Sequence, residues 1–317
     1  MREITWRVEI GKYDLQVISE IVVYRSVSLL ADTAQIKLPV SVMNKANTLQ
    51  SLLKRGDEVN IYCGYDNELL KEFSGYLRVI QNQNDGITIE CEDDMFLFRK
   101  SVPNKLFKVT SVKNICEYVV QALGLNLKLD VSFDMTYEKF TIYSATGYDV
   151  LAKIQEETKA NIYISNKTLH VEPIYLQKGG EVVYDFEENI ESGDLTWKSE
   201  EDRKVEVEIS CTNAKGEILK VTAGTSGGER ISRMVGSQFA LSALKKIADE
   251  ELKRFAFDGY EGKIKGWLVP YCEPTFTAYI YDDDYPERAG TYYVESVETR
   301  VSEAGGERNV TIGRKLS

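Results

Sequence analysis

The sequence predicts a mainly β protein: two similar small antiparallel β-barrel domains with a small α+β domain inserted between them. Three observations carry this expectation. Apolar side chains alternate with period two through residues 1–100 and again after 176. Tyrosine is abundant at 19 residues while proline is scarce at 6. One strand-turn-strand order occurs near both ends of the chain. Successive strand side chains point to opposite faces, so alternation marks a half-buried strand, and tyrosine suits a pleated surface that is part wet. The expected domains are 1–100 (first barrel), 101–175 (α+β insertion) and 176–317 (second barrel with one long helix).

In the first segment, Trp6, Val8 and Ile10 share one strand face, and Ala34, Ile36 and Leu38 share another. Val59 to Cys63 runs into the turn Gly64-Tyr65-Asp66-Asn67, and Phe73 to Ile80 follows as a strand. Asp85-Gly86 then supplies a hairpin signal, since such turns need positive φ, and Ile87 to Cys91 is the return strand. The middle segment changes period. Val112, Ile115, Cys116, Val119, Val120 and Leu123 form a helical stripe over 111–123, closed by Gly124 as a C-terminal cap. Thr146 is placed to cap a second helix, with Asp149 three residues on completing the capping box and Val150, Leu151 and Ile154 on the apolar face. The hairpin Ala160–Ile164 and Thr168–Val171 turns at Ser165-Asn166-Lys167.

After 176, Lys204–Cys211 alternates, turns at Asn213–Gly216 and returns to Thr222. Gly224-Thr225-Ser226-Gly227-Gly228 reads as a mobile loop or domain connection. A helix near 237–255 gathers Ala240, Leu244, Ile247, Ala248, Leu252 and Phe255 on one side, with Glu250 able to pair with Arg254. Strands at Thr275–Tyr281, Thr291–Val297 and Asn309–Gly313 close the chain. Residues 57–91 and 275–313 share one element order: strand, acidic turn, Gly-then-Tyr strand, Gly-containing loop, alternating strand. Residue identity between them is low, so this order fits either an internal duplication or the general likeness of β-meanders.

The formal charge of −11, from 50 acidic and 39 basic side chains, argues against tight binding of nucleic-acid phosphates. No apolar leader and no apolar run of bilayer-spanning length is visible, which predicts a chain made and kept in the cytoplasm. The five cysteines (Cys63, Cys91, Cys116, Cys211, Cys272) are scattered without a Cys-x-x-Cys pair, and four lie on apolar stripes, so they read as small buried hydrophobes.

Candidate chemistry is sparse. Asp93-Asp94, Glu187-Glu188 and Asp282-Asp283-Asp284 lack the alternate-position spacing of a calcium loop, and adjacent carboxylates point apart. His170, the single histidine, sits in a short hairpin strand with no nearby nucleophile pattern. The Gly224–Gly228 stretch lacks the Gly-Lys-Ser/Thr ending of a phosphate loop. No catalytic, cofactor or metal site is expected.

Several segments resemble a known family. Gly56-Asp57-Glu58-Val59-Asn60-Ile61, Phe73-Ser74-Gly75-Tyr76 and Cys91-Glu92-Asp93 resemble the first barrel of phage baseplate hub proteins, the late control protein D group, related to the hub part of type VI spike proteins. Asp258-Gly259-Tyr260-Glu261-Gly262, Tyr285-Pro286-Glu287-Arg288-Ala289-Gly290-Thr291-Tyr292-Tyr293-Val294 and Ile312-Gly313-Arg314-Lys315-Leu316 resemble its closing segment. The signature positions are Gly56, Asp57, Val59, Phe73, Gly75, Tyr76, Tyr285, Pro286, Gly290, Tyr292 and Gly313. The resemblance implies a homotrimer whose two barrels per subunit form a pseudo-sixfold ring, adapting a sixfold tail tube to a threefold spike.

It further implies tail tube, spike and other baseplate proteins as partners, DNA that passes through without tight binding, no membrane insertion and no catalysis. The implied location is the virion tail baseplate, after synthesis in the bacterial host cytoplasm. A spike or lysozyme part is expected as a separate protein. The same hub also suits a type VI or other contractile injection system. Two further classes compete: a carbohydrate-binding or adhesin module using Trp197 or Trp267, and a hydrolase relying on a carboxylate such as Asp283.

Overall fold

The structure, a computed structural model, describes residues 3–39, 52–83, 86–176, 179–199, 204–286 and 289–316. In chain order the first strands are β1 (Ile4–Ile10), β2 (Tyr13–Asp14), β3 (Glu20–Ser26), β4 (Thr33–Leu38), β5 (Glu58–Tyr65), β6 (Glu68–Gln83) and β7 (Gly86–Glu92). Then come β8 (Lys105–Phe107), β9 (Thr110–Ser111), α1 (Val112–Ala122), β10 (Lys128–Val131), β11 (Thr136–Ile142), α2 (Gly147–Thr158), β12 (Asn161–Ser165) and β13 (Thr168–Glu172). β14 (Glu181–Asp185) and β15 (Ile190–Lys198) precede β16 (Val205–Thr212), β17 (Ile218–Gly224), β18 (Glu229–Met234), β19 (Gln238–Phe239) and α3 (Leu241–Lys253). The chain ends with β20 (Gly259–Gly266), β21 (Thr277–Tyr281), β22 (Gly290–Ser302) and β23 (Gly305–Lys315). The fold is mainly β, as the alternation predicted. The hairpin at Gly86 forms, although Asn84 and Asp85 of that signal lie outside the described residues.

By compactness the chain divides into two units, one of 1–96, 177–196 and 261–317, the other of 97–176 and 197–260. The expected third segment, 176–317, is therefore shared between both units. The reason is apolar packing: β16 lies between β17 and β18, and α3 buries Ala243, Leu244, Ile247 and Ala248, while Val207, Ile209 and Cys211 of β16 are buried too. These elements join the insertion through β19, which pairs with β11, and Phe239 packs on Tyr137 at 4.3 Å. The long helix thus belongs with the insertion rather than with the second barrel.

Within this unit α1 and α2 both start at side-chain caps. Ser111 accepts from the Asn114 amide, and Thr146 and Asp149 form the reciprocal capping box. Glu250, expected to pair with Arg254, instead meets Lys253 and accepts from the Ile174 amide at 3.0 Å, while Arg254 donates to the Lys159 carbonyl. The glycine-rich 224–228 stretch is no domain connection. It links β17 to β18, and it is held by Thr225 N–H donating to the Val205 carbonyl and Gly228 N–H donating to Thr225.

The other unit is one 13-stranded sheet, ordered β15-β20-β23-β22-β3-β4-β7-β6-β5-β1-β2, with β21 on β22 and β14 on β21. It resolves into two six-stranded halves. In chain order the first half is β1, β3, β4, β5, β6, β7 and the second is β14, β15, β20, β21, β22, β23. Numbered by that order, both follow the path 2-3-6-5-4-1, and in both the ends of the path are consecutive in sequence. One pairing differs: β1 is antiparallel to β5, whereas β14 is parallel to β21. The first half packs Val8, Ile10, Ile21, Val23, Ile36, Val59, Ile61, Leu77, Ile87 and Ile89 into one core. Val182, Tyr184, Ile264, Ala278, Ile280, Tyr292, Val294 and Val310 are buried in the second. Each side chain is an inward member of a period-two strand, so sequence alternation becomes barrel interior directly.

Candidate functional site

The feature that distinguishes this molecule is the junction between its two six-stranded halves. β22 changes partner along one edge. Residues 290–293 pair with β21, and residues 296–302 pair with β3, from Ser296 opposite Ser26 to Ser302 opposite Glu20. The change follows a two-residue hydrogen-bonded clasp, in which Val294 N–H donates to the Phe276 carbonyl and Thr275 N–H donates to the Val294 carbonyl. The first half repeats the clasp: Leu77 N–H donates to Asp57, and Gly56 N–H donates to Leu77, both at 2.8 Å. Gly56 and Thr275 both adopt left-handed backbone, with φ of 93° and 76°. Beyond the clasp both strands bulge, between Leu77 and Val79 against β7 and between Val294 and Ser296 against β23. Leu77 is therefore the counterpart of Val294, and the halves correspond residue by residue in this region.

Beneath the junction lies a buried ion pair with one member from each half. Glu72 stands at a β6 bulge, between Lys71 and Phe73, which pair with Tyr62 and Ile61; the extra residue turns its carboxylate inward. Arg308 on β23 meets it through two contacts, Nη2 to Oε1 at 2.7 Å and Nη1 to Oε2 at 3.2 Å. Both side chains are at most 2% exposed. Arg308 also donates to Thr299 Oγ1 and to the Leu268 and Cys272 carbonyls, and Thr299 donates to Glu72. Burial lowers the pKa of the Arg308 guanidinium, but the Glu72 charge and hydrogen bonds outweigh this and leave it raised.

A second, partly exposed group flanks the first. Arg25 of β3 contacts Glu273 at 2.8 Å, Asp32 at 3.4 Å and the Tyr271 hydroxyl at 3.1 Å. Burial raises the Glu273 pKa while the Arg25 charge and hydrogen bonds lower it further, for a net fall. Glu72 breaks the period-two pattern, and nothing in the local sequence marks it as buried; Arg308 directly precedes the expected Asn309–Gly313 strand and carries no such mark either.

The signature positions lie in both halves, two of them in the clasp. Gly56 and Asp57 form it, and the Asp57 carboxylate accepts from the Lys54 amide at 2.8 Å. Val59 and Phe73 are buried, and Tyr76 stacks on Phe96 at 5.4 Å. A Cβ at Gly75 would collide with the Glu92 backbone carbonyl. In the second half Tyr292 is buried, Gly290 opens β22, and Gly313 lies against the Glu295 side chain. Tyr285 and Pro286 sit in the turn before β22, where the Tyr285 amide donates to Asp282 and Ala289 donates to the Pro286 carbonyl. Glu287 and Arg288 of that motif lie outside the described residues.

The residues weighed for chemistry are dispersed. Asp282 is buried as a turn cap, while Asp283 and Asp284 are exposed. Asp93 is buried and accepts from the Met95 amide. Trp267 is half exposed, whereas Trp197 packs edge-on against Tyr260. All five cysteines are buried free thiols; burial pushes Cys91, Cys116 and Cys272 up to about 12, the reverse of an activated nucleophile.

His170 is clamped by Glu172 at 3.0 Å and Asp130 at 3.4 Å and stacks on Tyr163, whose hydroxyl donates to Glu172. Among the described residues, Asp130, His170 and Glu172 are the group whose ligand atoms lie close enough, within 4.8 Å, to hold a divalent cation. No helix among the described residues is long and apolar enough to cross a membrane.

No protein-family model matches the chain, and no curated protein matches it in sequence. Solved structures do match in fold. A tail protein from Neisseria meningitidis MC58 aligns with a TM-score of 0.71 at 14% identity, over 98% of this chain and 97% of that one. The 43 kDa tail protein of prophage MuSo2 from Shewanella oneidensis aligns at 0.67 and 14% identity, over 99% and 98%. An E. coli component of the type VI secretion system, described as structurally similar to T4 bacteriophage tail proteins, aligns at 0.60 and 11% identity, over 98% and 77%. At these identities the shared property is the fold, and it spans both halves of the large sheet: this chain has the architecture of those tail proteins.

Proposed function

We propose that this protein is a structural, non-enzymatic baseplate hub of a phage or prophage tail. Three copies form a ring that matches a sixfold tail tube on one face and a threefold spike on the other, around part of the DNA channel. The observation that carries this reading is the repeated half: two six-stranded units with one strand order, clasp and bulge in a single chain. Three such chains present six near-equivalent units while keeping only threefold symmetry, which is the property an adaptor needs. The net charge of −11 suits a channel that passes DNA without retaining it. Tail tube, spike and neighbouring baseplate proteins are the partners, and the virion tail is the location.

Native mass measurement of the full chain, alone and with its tube and spike proteins, tests the proposal. A species three times the 36.0 kDa chain is expected. A monomer under every one of these conditions overturns it. The fold shared with the E. coli type VI component favours a second reading, a hub of a contractile injection system. Co-purification with a phage tube protein as against a secretion tube protein separates the two.

A further inference from the structure

The correspondence between the halves exposes an asymmetry in their edges. In the second half, β22 residues 296–302 are covered by β3 of the first half. The counterparts in the first half begin at Val79, two residues after Leu77, and run to the end of β6. Among the described residues, no strand pairs with that edge of β6 beyond Leu77; its other edge pairs with β7. The counterpart of β3 in the second half is β15, which ends the sheet at β20. β3 buries Ile21, Val23 and Ser26, whereas β15 buries no residue and exposes Glu191, Ser192, Gly193, Asp194 and Thr196. Thus strands that match β22 and β3 are present a second time within one chain, and among the described residues neither β6 beyond Leu77 nor β15 on its side away from β20 has a strand partner there.

We infer that β6 of one copy takes β15 of a second copy as its next antiparallel strand, repeating the β22–β3 junction between molecules. The inference rests on the ring reading and names the surfaces that would close it. A head-to-tail contact of this kind continues the sheet already built within the chain, and copies added by the same operation generate a ring when the rotation closes.

The register follows from the intramolecular junction. Thr299 lies opposite Val23, and Val23 lies opposite Ala34, which in turn faces Cys91 of β7. In the second half Gly262 takes Ala34's place, facing Ile312 as Ala34 faces Cys91, and a Cβ added at Gly262 would meet the Asp194 carbonyl and the Leu195 α-carbon of β15. The Thr299 counterpart is Asn82, which therefore stands opposite Asp194 or Leu195 of the neighbouring copy. Both Asn82 and Asp194 are exposed in the single chain.

Cysteine pairing tests the register, because directly opposed strand residues bring their Cβ atoms to about 4.5–5.5 Å, close to disulfide reach. The five native thiols are buried, which keeps the background low. Full-length Asn82→Cys/Asp194→Cys and Asn82→Cys/Leu195→Cys variants are oxidised mildly and run on a non-reducing denaturing gel, beside Asn82→Cys/Glu191→Cys as an out-of-register control. Native mass is measured on each reduced protein. The expected result is a trimer mass for all three, with covalent dimer and trimer bands from at least one in-register pair and none from the control. A trimer mass without in-register bands, or with equal bands from the control, overturns this junction and leaves the ring reading standing. A monomer mass with no bands, both for the protein alone and with its tube and spike proteins, overturns both.

Discussion

Glu72→Gln keeps the shape of the side chain, removes its charge and leaves the Arg308 guanidinium buried beside an amide. In the native structure that guanidinium is 2% exposed and receives its full counter-charge from Glu72, through contacts of 2.7 and 3.2 Å. Its remaining acceptors, Thr299 and two backbone carbonyls, are neutral. Removing one partner of such a pair costs on the order of 3–5 kcal/mol, because an uncompensated charge remains in a dry interior. For a unit of this size that is a fall of about 6–20 °C in melting temperature.

The flanking group gives an internal control. Arg25 and Glu273 are 21% and 33% exposed, so Glu273→Gln is screened and costs about 1 kcal/mol. The assay is thermal and urea unfolding followed by near-UV circular dichroism, with the two compact units fitted as separate transitions. A double replacement, Glu72→Met with Arg308→Leu, removes both charges and is expected to recover most of the loss. If Glu72→Gln costs no more than Glu273→Gln, or the double variant is as unstable as the single, the buried pair does not act as argued.

Three further outcomes follow from single positions. Burial and the nearby Asp32 carboxylate push the Asp93 pKa well above the usual range. The folded state therefore binds that proton more tightly than the unfolded chain, and the stabilisation is full below about pH 4 and lost as pH rises through the raised value. Asp93→Asn, whose amide oxygen can still accept from Met95, should gain in melting temperature over the parent as pH goes from 5 to 8; a gap that narrows with rising pH refutes this. Thr146→Ala should cost about 1 kcal/mol by unfolding, and should raise the Asp149 pKa measured by NMR, since hydrogen bonds from Thr146 hold that carboxylate below its ordinary value. Gly75→Ala should cost on the order of 1–3 kcal/mol in denaturant unfolding, because its Cβ would press on the Glu92 backbone, while exposed Ser74→Ala should stay within about 0.5 kcal/mol.

How much of this was legible depended on whether the information was local. Period-two runs such as Val59-Ile61-Cys63 and Ile87-Ile89-Cys91 became barrel interior, and the Thr146/Asp149 capping box formed where its spacing placed a helix start. The shared order of 57–91 and 275–313 corresponds to β5-β6-β7 and β21-β22-β23, the same three positions in both halves. What stayed hidden was non-local. That β14 and β15 complete the second half while β16 to α3 pack elsewhere follows from burial between segments far apart in sequence. The Glu72 bulge needed the register of β5 on β6, which no window of residues around position 72 contains. The clasp was half visible, since Gly56 was marked by its motif, but its partner Thr275 carries a left-handed backbone at a residue type that gives no warning.

The ion pair also breaks the equivalence that the strand order creates. By the Leu77–Val294 correspondence, the counterpart of Glu72 is Ala289; by the pairing of Cys91 and Ile312 with it, the counterpart of Arg308 is Ile87. A junction built between copies from β6 and β15 would therefore reproduce the strand pairing of the internal junction without a buried charge pair beneath it. The internal junction is fixed by covalent linkage and by an interaction costly to disrupt, whereas the external one relies on backbone hydrogen bonds and side chains that tolerate water when apart. The two junctions should then separate in order: dilution or moderate salt lowers the native mass to that of one chain while near-UV circular dichroism is unchanged. Loss of mass and of tertiary signal at the same midpoint would mean that the halves are held together by the ring, and that Glu72 and Arg308 do not make the single chain self-sufficient.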